Sequence, residues 1–247
     1  MKTTHTFKLA TIIVLITALF TSCNDDDVNK YHYDYYTAIV TVKPKSCYVI
    51  LQLNDSTGLI PTNMTNSPYG DKEVRALVNY HVETESRYLK SVYIHQMDSI
   101  RTKFTVPSQG EDDEKIYGND PLDIVPDWTT VAEDGYVTLR ARTRWGDKNT
   151  VHYLNLVTGT NPDDPYELLL CHNANGDSQK YLGDVLIAFN LRELLKDATS
   201  EKAKITIRWR SLNGEYQKMV FDMNTNPWDA DIIYYNPTTL EDFNHIE

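Results

Sequence analysis

The sequence predicts an all-β chain, with an N-terminal OB-like barrel followed by a C-terminal β-sandwich. Three observations carry this expectation. Tyrosine is abundant, at 17 of 247 residues, and with many Val, Ile and Thr it favours strands over helices. Short apolar or alternating runs recur between clusters of Gly, Pro, Asn and Asp, which is the spacing of strands and turns. The stretch Ser108 to Lys115 is charged and nearly free of apolar residues, and it separates two blocks of such runs.

The expected organisation is therefore 1–22 leader, 23–35 acidic tether, 36–107 OB-like domain, 108–115 linker and 116–247 β-sandwich. In the first block the strand patterns are Thr37–Val42, Cys47–Leu53, Glu73–Val82, Tyr88–Ile94 and Ser99–Val106. Lys43-Pro44-Lys45 breaks the first pair. Asn54-Asp-Ser-Thr-Gly58 reads as a hairpin-like turn, with Gly58 available for a positive φ. Five short strands in about 70 residues suit a small Greek-key barrel of the OB type.

In the second block Tyr136–Trp145 alternates strictly. Val137, Leu139, Ala141, Thr143 and Trp145 share one face, and Arg140, Arg142 and Arg144 share the other. A period of two with one apolar face predicts a half-buried strand. Further strands are expected at Val151–Thr158, Tyr166–His172, Gly183–Asn190, Ala203–Trp209 and Gln217–Met223, with another starting at Ile232-Ile233 and a short helix over Leu191–Asp197. The hairpin around Asn213-Gly214 is the most specific expectation. A two-residue loop would set Trp209 opposite Lys218. A three-residue loop, Leu212 to Gly214, sets Ile207 opposite Met219 and Ile205 opposite Phe221, and gathers the apolar side chains on one face. That register, with Gly214 in the left-handed region, is predicted.

Charge and motif content exclude several function classes. Lys and Arg number 24 and Asp and Glu 35, a net charge of −11. Lys2 and Lys8 lie in the leader, which holds no acid, so the chain from Cys23 carries −13. Nucleic-acid binding rests on Lys and Arg neutralising phosphates, so this sign argues against it. No two of the ten glycines are closer than Gly176 and Gly183, which rules out G-x-G-x-x-G and the P-loop. G-x-S-x-G, S-x-x-K, C-x-x-C and H-E-x-x-H are all missing from the sequence. The histidines after the leader are scattered, so no local zinc site is expected. His172-Asn-Ala-Asn-Gly-Asp177 is rich in oxygen but lacks the EF-hand pattern and reads as a turn. Neither a metal nor a cofactor is expected. Trp145 and Trp209 read as core. Cys47 and Cys171 lie in apolar runs and read as buried free thiols.

The start of the chain reads as an address. Lys2 and Lys8 precede the run Leu9 to Phe20, which is too short for a span of about 20 apolar residues but suits a secretory signal. Thr21 and Ser22 then lead directly into Cys23. The segment resembles the lipobox of bacterial lipoproteins, in which the cysteine is lipid-modified and becomes the first residue, although Phe20 departs from the usual aliphatic residue. Asn24, Asp25, Asp26 and Asp27 follow, and cysteine followed by acids resembles the surface-export signal of Bacteroidetes lipoproteins.

Six stretches, in order, resemble the NigD-like lipoproteins of Bacteroidetes. They are Ala38–Pro44, Leu59-Ile-Pro61, Val78-Asn-Tyr80, Gly118-Asn-Asp-Pro121, Asp134-Gly-Tyr136 and His172–Asp177. The last departs from the family pattern, with Leu170-Cys171 where a Phe-Arg often stands. The resemblance implies an OB-like domain followed by a β-sandwich, an association with bacteriocin operons, and no catalytic residues. The functional expectation is a non-enzymatic, lipid-anchored outer-membrane protein. It would be exposed at the cell surface and bind a protein or glycan partner. The alternative is a protein that binds or hydrolyses cell-surface glycans.

Overall fold

The computed structural model of the chain describes residues 34–226. Cys23, Asn24, Asp25, Asp26 and Asp27, and the strand expected at Ile232-Ile233, lie outside the described residues. Five strands open the fold: β1 (Tyr35–Pro44), β2 (Val49–Asn54), β3 (Thr57–Pro61), β4 (Val74–Glu85) and β5 (Leu89–Phe104). Neighbours β1–β2, β2–β3, β1–β4 and β4–β5 run antiparallel, and β3 pairs parallel with β5. That last pairing closes a five-stranded barrel, which leaves it no open edge. Alternate residues fill its interior: Val40 and Val42, Val49 and Leu51, Ala76, Val78 and Tyr80, Val92 and Ile94.

The second half contains β6 (Val106–Pro107), α1 (Asp113–Tyr117), β7 (Asp123–Ile124), β8 (Val131–Glu133), β9 (Tyr136–Trp145) and β10 (Tyr153–Thr158). It continues with β11 (Glu167–Asn173), β12 (Tyr181–Asn190), α2 (Arg192–Leu195), β13 (Lys202–Arg210) and β14 (Tyr216–Asn224). One sheet of the sandwich has the order β12-β9-β7, with β8 also on β9, and the other the order β14-β13-β11-β10-β6. Leu139, Leu156, Leu168, Phe189, Ile205 and Ile207 are among the residues packed between them. The last residues of β5, Arg101–Phe104, pair parallel with Ile187–Asn190 of β12. Barrel and sandwich therefore share one nine-stranded sheet. Ile39, Ile100 and Ala188 form a small apolar cluster from both halves.

The expected fold class holds, and four details differ or sharpen. The two strands expected at Tyr88–Ile94 and Ser99–Val106 are mostly one, β5. Asn79 pairs with Gln96 and Tyr80 with Ile94, so His95 is an extra, bulged residue. The bulge interrupts the alternation from which a strand is read. The stretch after β6 is folded rather than extended. Gly110–Asp112 forms a 3-10 turn that runs into α1, and Ser108 Oγ and Gln109 N–H both donate to the buried Asp113 carboxylate, at 2.6 Å each.

On β9 the Arg140 and Arg142 face is partly exposed as expected, and Asp184 bridges the two guanidiniums. Arg142 above all, then Arg140, holds the Asp184 carboxyl down to about 2 against the opposing effect of burial. Tyr136 and Thr138 on that same face are buried instead, because Arg75 of the barrel lies over them. Both remaining cysteines are free, but Cys47 is exposed and only Cys171 is buried. The Cys47 reading is thereby corrected: it stands just ahead of β2, where the chain is still turning.

The hairpin follows the three-residue register. Ile207 is opposite Met219, Ile205 opposite Phe221 and Trp209 opposite Gln217. Ser211 N–H donates to Glu215 O at 2.8 Å, and Gly214 has a φ of +90°.

Candidate functional site

The barrel's outer face carries the most conspicuous exposed cluster. Tyr35 of β1 lies opposite His81 of β4, which lies opposite Tyr93 of β5. Directly paired residues point to the same side of a sheet. Tyr80 and Ile94 point inward, so Tyr35, His81 and Tyr93 form a row pointing outward. The β5 bulge brings His95 into the row. Its Nε2 is 2.8 Å from His81 Nδ1, and Tyr35 and Tyr93 lie against its ring at 4.9 and 5.2 Å between centroids. Tyr93 stacks on His81 at 5.4 Å and 10°. His81 is buried, while Tyr35 and Tyr93 are 65 % and 40 % exposed. Tyr36, paired with and stacked on Tyr80 at 5.6 Å, points to the other side of the sheet and is not part of this row.

The two imidazoles are joined by a proton rather than posed around an ion. Their centroids are 5.0 Å apart, close to the N···N distance plus the two ring radii, so the facing lone-pair axes are nearly collinear. Ligands of one metal would converge at an angle instead. Among the described residues no group of three or more His, Cys, Asp or Glu is placed to hold a metal. A surface of tyrosine and histidine offers ring faces and hydroxyls to a partner, with few rotatable bonds to immobilise.

A second histidine pair is internal. His152 donates or accepts at 3.0 Å to His172 through Nδ1, and its Nε2 lies 3.2 Å from Asp177 Oδ2. Trp145 stacks on His152 at 4.0 Å and 18°. Asp177 also accepts the N–H groups of Gly146, Asp147 and Ser178. These bonds hold its carboxyl below the usual range against the cost of burial. Burial, and then His152, pushes His172 below the usual histidine range. The turn that returns Asp177 to this point has Asn175 and Gly176 both at positive φ, the pattern of a type I′ turn. Within the oxygen-rich stretch His172–Asp177 the first two residues end β11 and the turn read from the sequence lies at Ala174–Asp177, whose aspartate fastens an internal histidine. Both rings and the carboxylate are enclosed, and their bonds tie β10, β11 and the turns after β9 and β11 together. Trp209 is core as expected, whereas Trp145 is only partly buried.

A third polar set joins barrel and sandwich. Arg75, fully buried, donates to Glu133 at 2.8 Å and to Thr41 and Thr138 hydroxyls at 2.9 and 3.3 Å. Lys43 pairs with Asp134 at 3.0 Å, and Glu73 accepts from Tyr136 and Arg192. Burial lifts the Glu133 carboxyl above the usual range, with Arg75 opposing. Every partner lies far along the chain from its mate, so these contacts act as a weld.

None of these clusters was legible from local spacing. His81 and His95, and His152 and His172, are brought together only by strand pairing. The available signal was alternation, which places His81 and Tyr93 outward once Tyr80 and Ile94 are assigned to the core.

The comparisons agree with this architecture. Residues 39–100 match the NigD-like N-terminal OB domain, and residues 105–223 match the NigD-like C-terminal beta sandwich domain. A solved structure from Parabacteroides distasonis, described as a candidate toxin-related protein, is 28 % identical over 83 % of this chain and 99 % of its own, with a TM-score of 0.63. A NigD-like immunity protein from Bacteroides caccae is 19 % identical over 79 % of this chain and all of its own, with a TM-score of 0.57. A candidate lipoprotein from Bacteroides fragilis is 17 % identical over the same shares, with a TM-score of 0.55. Among curated proteins none matches. The two family matches, in this order and over most of the chain, place it in the NigD-like family.

Proposed function

We propose that this chain is a surface-exposed, outer-membrane lipoprotein, anchored through a lipid on Cys23, that binds a partner without catalysing a reaction. The observation that carries the binding role is the outward row Tyr35, His81, Tyr93 and His95 at the start of β1. Aromatic side chains dominate interface energetics, and here they are left exposed on a barrel wall. From Cys23 to Asp34 is eleven peptide steps, a reach of at most about 40 Å. The tether thus limits how far from the membrane a partner can meet the patch. The toxin-related relative makes a toxin the first protein partner to try, with a surface glycan as the other.

Three measurements test this. Cys23→Ala moves the protein from the membrane to the soluble fraction; a variant that still pellets with membranes removes the anchor. Protease applied to intact cells clips the wild-type protein; complete protection removes surface exposure. A pull-down from intact cells recovers a partner that Tyr35→Ala/Tyr93→Ala loses; capture unchanged by that double variant removes the patch.

A second reading has one observation in its favour. A cleft of about 410 Å³ is lined by Glu111, Asp113, Glu114, Arg208 and Tyr216, a concentration of carboxylates such as a glycan hydrolase uses. Asp113 is already engaged by Ser108 and Gln109, and Glu114 accepts from Tyr216 Oη at 2.8 Å, which favours a structural role. Release of reducing sugar from surface polysaccharide, lost in Glu114→Gln, would establish the hydrolase instead.

A further inference from the structure

The sandwich has a cleft between its two sheets, where β5 joins β12 above and β10 lies below. Its volume is about 230 Å³, enough for a small organic molecule though short of a drug-sized site. The walls are mostly apolar, with Trp145, Leu154 and Val185 among them. Val151 and Tyr153, at the same cleft, are 56 % and 50 % exposed.

Two cations break this apolar lining. Arg101 and Lys103 alternate on β5 and pair with Ile187 and Phe189 of β12, whose side chains belong to the sandwich core. Both cationic side chains therefore leave the sheet on the inner side. Lys103 is used as a strap. Its Nζ donates to Leu154 O and Asn155 Oδ1, at 2.6 Å each, across to the opposite sheet. Burial, and then Arg101, pushes its ammonium below the usual lysine range.

The Arg101 side chain has no ion pair and no hydrogen bond among the described residues. Arg75, Arg140, Arg142, Arg192 and Arg208 have carboxylate partners, whereas Arg87, Arg144 and Arg210, like Arg101, have none among the described residues, and of these four only Arg101 lines the cleft. An unpaired guanidinium beside a second cation, in a chain with an excess of acids, is complementary to an anion. A guanidinium binds a carboxylate through two parallel N–H···O bonds, a fit that a lone ammonium lacks.

We infer that this cleft is a binding site for a small monocarboxylic acid with an apolar body, its carboxylate on Arg101 and its body against Trp145, Leu154 and Val185. The site is separate from the Tyr–His patch and does not depend on the lipid anchor. The test uses the chain from Cys23 onward with Cys23→Ser, so that binding is read apart from anchoring. Benzoate is titrated by calorimetry and by backbone amide NMR, with neutral benzamide as the comparison. Benzoate binds saturably with a Kd below about 1 mM, benzamide at least about tenfold more weakly, and the shifted amides lie on β5, β10 and β12. Arg101 is exposed, so Arg101→Gln is expected to fold, and it weakens benzoate by about tenfold or more. Arg144→Gln, at an exposed arginine outside this cleft, leaves benzoate binding unchanged. No saturation, equal binding of acid and amide, or benzoate binding unaltered in Arg101→Gln would each overturn the assignment.

Discussion

At the residue scale, the two cysteines and the internal histidines make opposite use of burial. Burial pushes the Cys171 thiol up to about 12, with Asp113 and Glu114 adding to the effect, and it packs as a small apolar side chain. Cys47 is exposed. A thiol reagent added to the native chain, with Cys23 blocked or replaced, modifies one thiol per chain; in denaturant it modifies two. Rapid native modification of Cys171 would refute its enclosure. His172 is held neutral by its surroundings, whereas in the unfolded chain it binds a proton as pH falls through about 6.5. The unfolded state then holds more protons, so stability drops with pH below that value. Asp177 adds a second loss in stronger acid, because its folded carboxyl is held down and must be protonated. The urea midpoint should fall between pH 7 and pH 5, and His172→Gln, though less stable overall, should show a shallower fall. Equal slopes in the two proteins would remove His172 as the source.

At the element scale, two glycines with the same backbone sign should behave differently. Gly214, in the β13–β14 loop, has a φ of +90° with nothing within 4 Å of the position a Cβ would take. Gly214→Ala is then charged only the left-handed penalty, about 1–2 kcal/mol. Gly118 caps α1 at a φ of +89°, and a Cβ there would sit 2.5 Å from the His172 carbonyl oxygen and 2.7 Å from Asn173 Cα. Backbone cannot swing aside as a side chain can, so Gly118→Ala should cost well beyond that range or prevent folding. Thermal unfolding of the pair settles the order, and a milder effect at Gly118 would contradict the close approach of α1 to β11.

At the whole-molecule scale, barrel and sandwich are parts of one sheet. β5 supplies the barrel's wall and also a partner for β12, and Arg75, Lys43 and Glu73 reach residues of the sandwich. Neither half can unfold without exposing the shared strand. Calorimetry should show one transition with matching calorimetric and van't Hoff enthalpies. Arg75→Met leaves Glu133 without its cation. It should lower that single transition by about 3–5 kcal/mol in stability, without splitting it in two. Two separate transitions in the wild type would mean that the shared sheet does not couple the halves.

The sequence alone determined whatever depends on local periodicity. β9 is read to the residue from ten alternating positions, and the β13–β14 register follows because a one-residue slip would turn Met219 and Phe221 away from Ile205 and Ile207. The barrel and sandwich classes follow from strand length and turn chemistry. Tertiary structure decided everything that depends on which strands become neighbours. The continuity of β5, the bulge that aims His95 at His81, the burial of Tyr136 and Thr138 on a face that reads as polar, and the meeting of His152 with Asp177 all arise from pairings across long stretches of chain. Such pairings are chosen by the packing of whole sheets, in which a polar residue is buried only if a distant partner satisfies it. No local pattern encodes that partner, so the surfaces and clefts on which function rests became visible only when the strands were assembled.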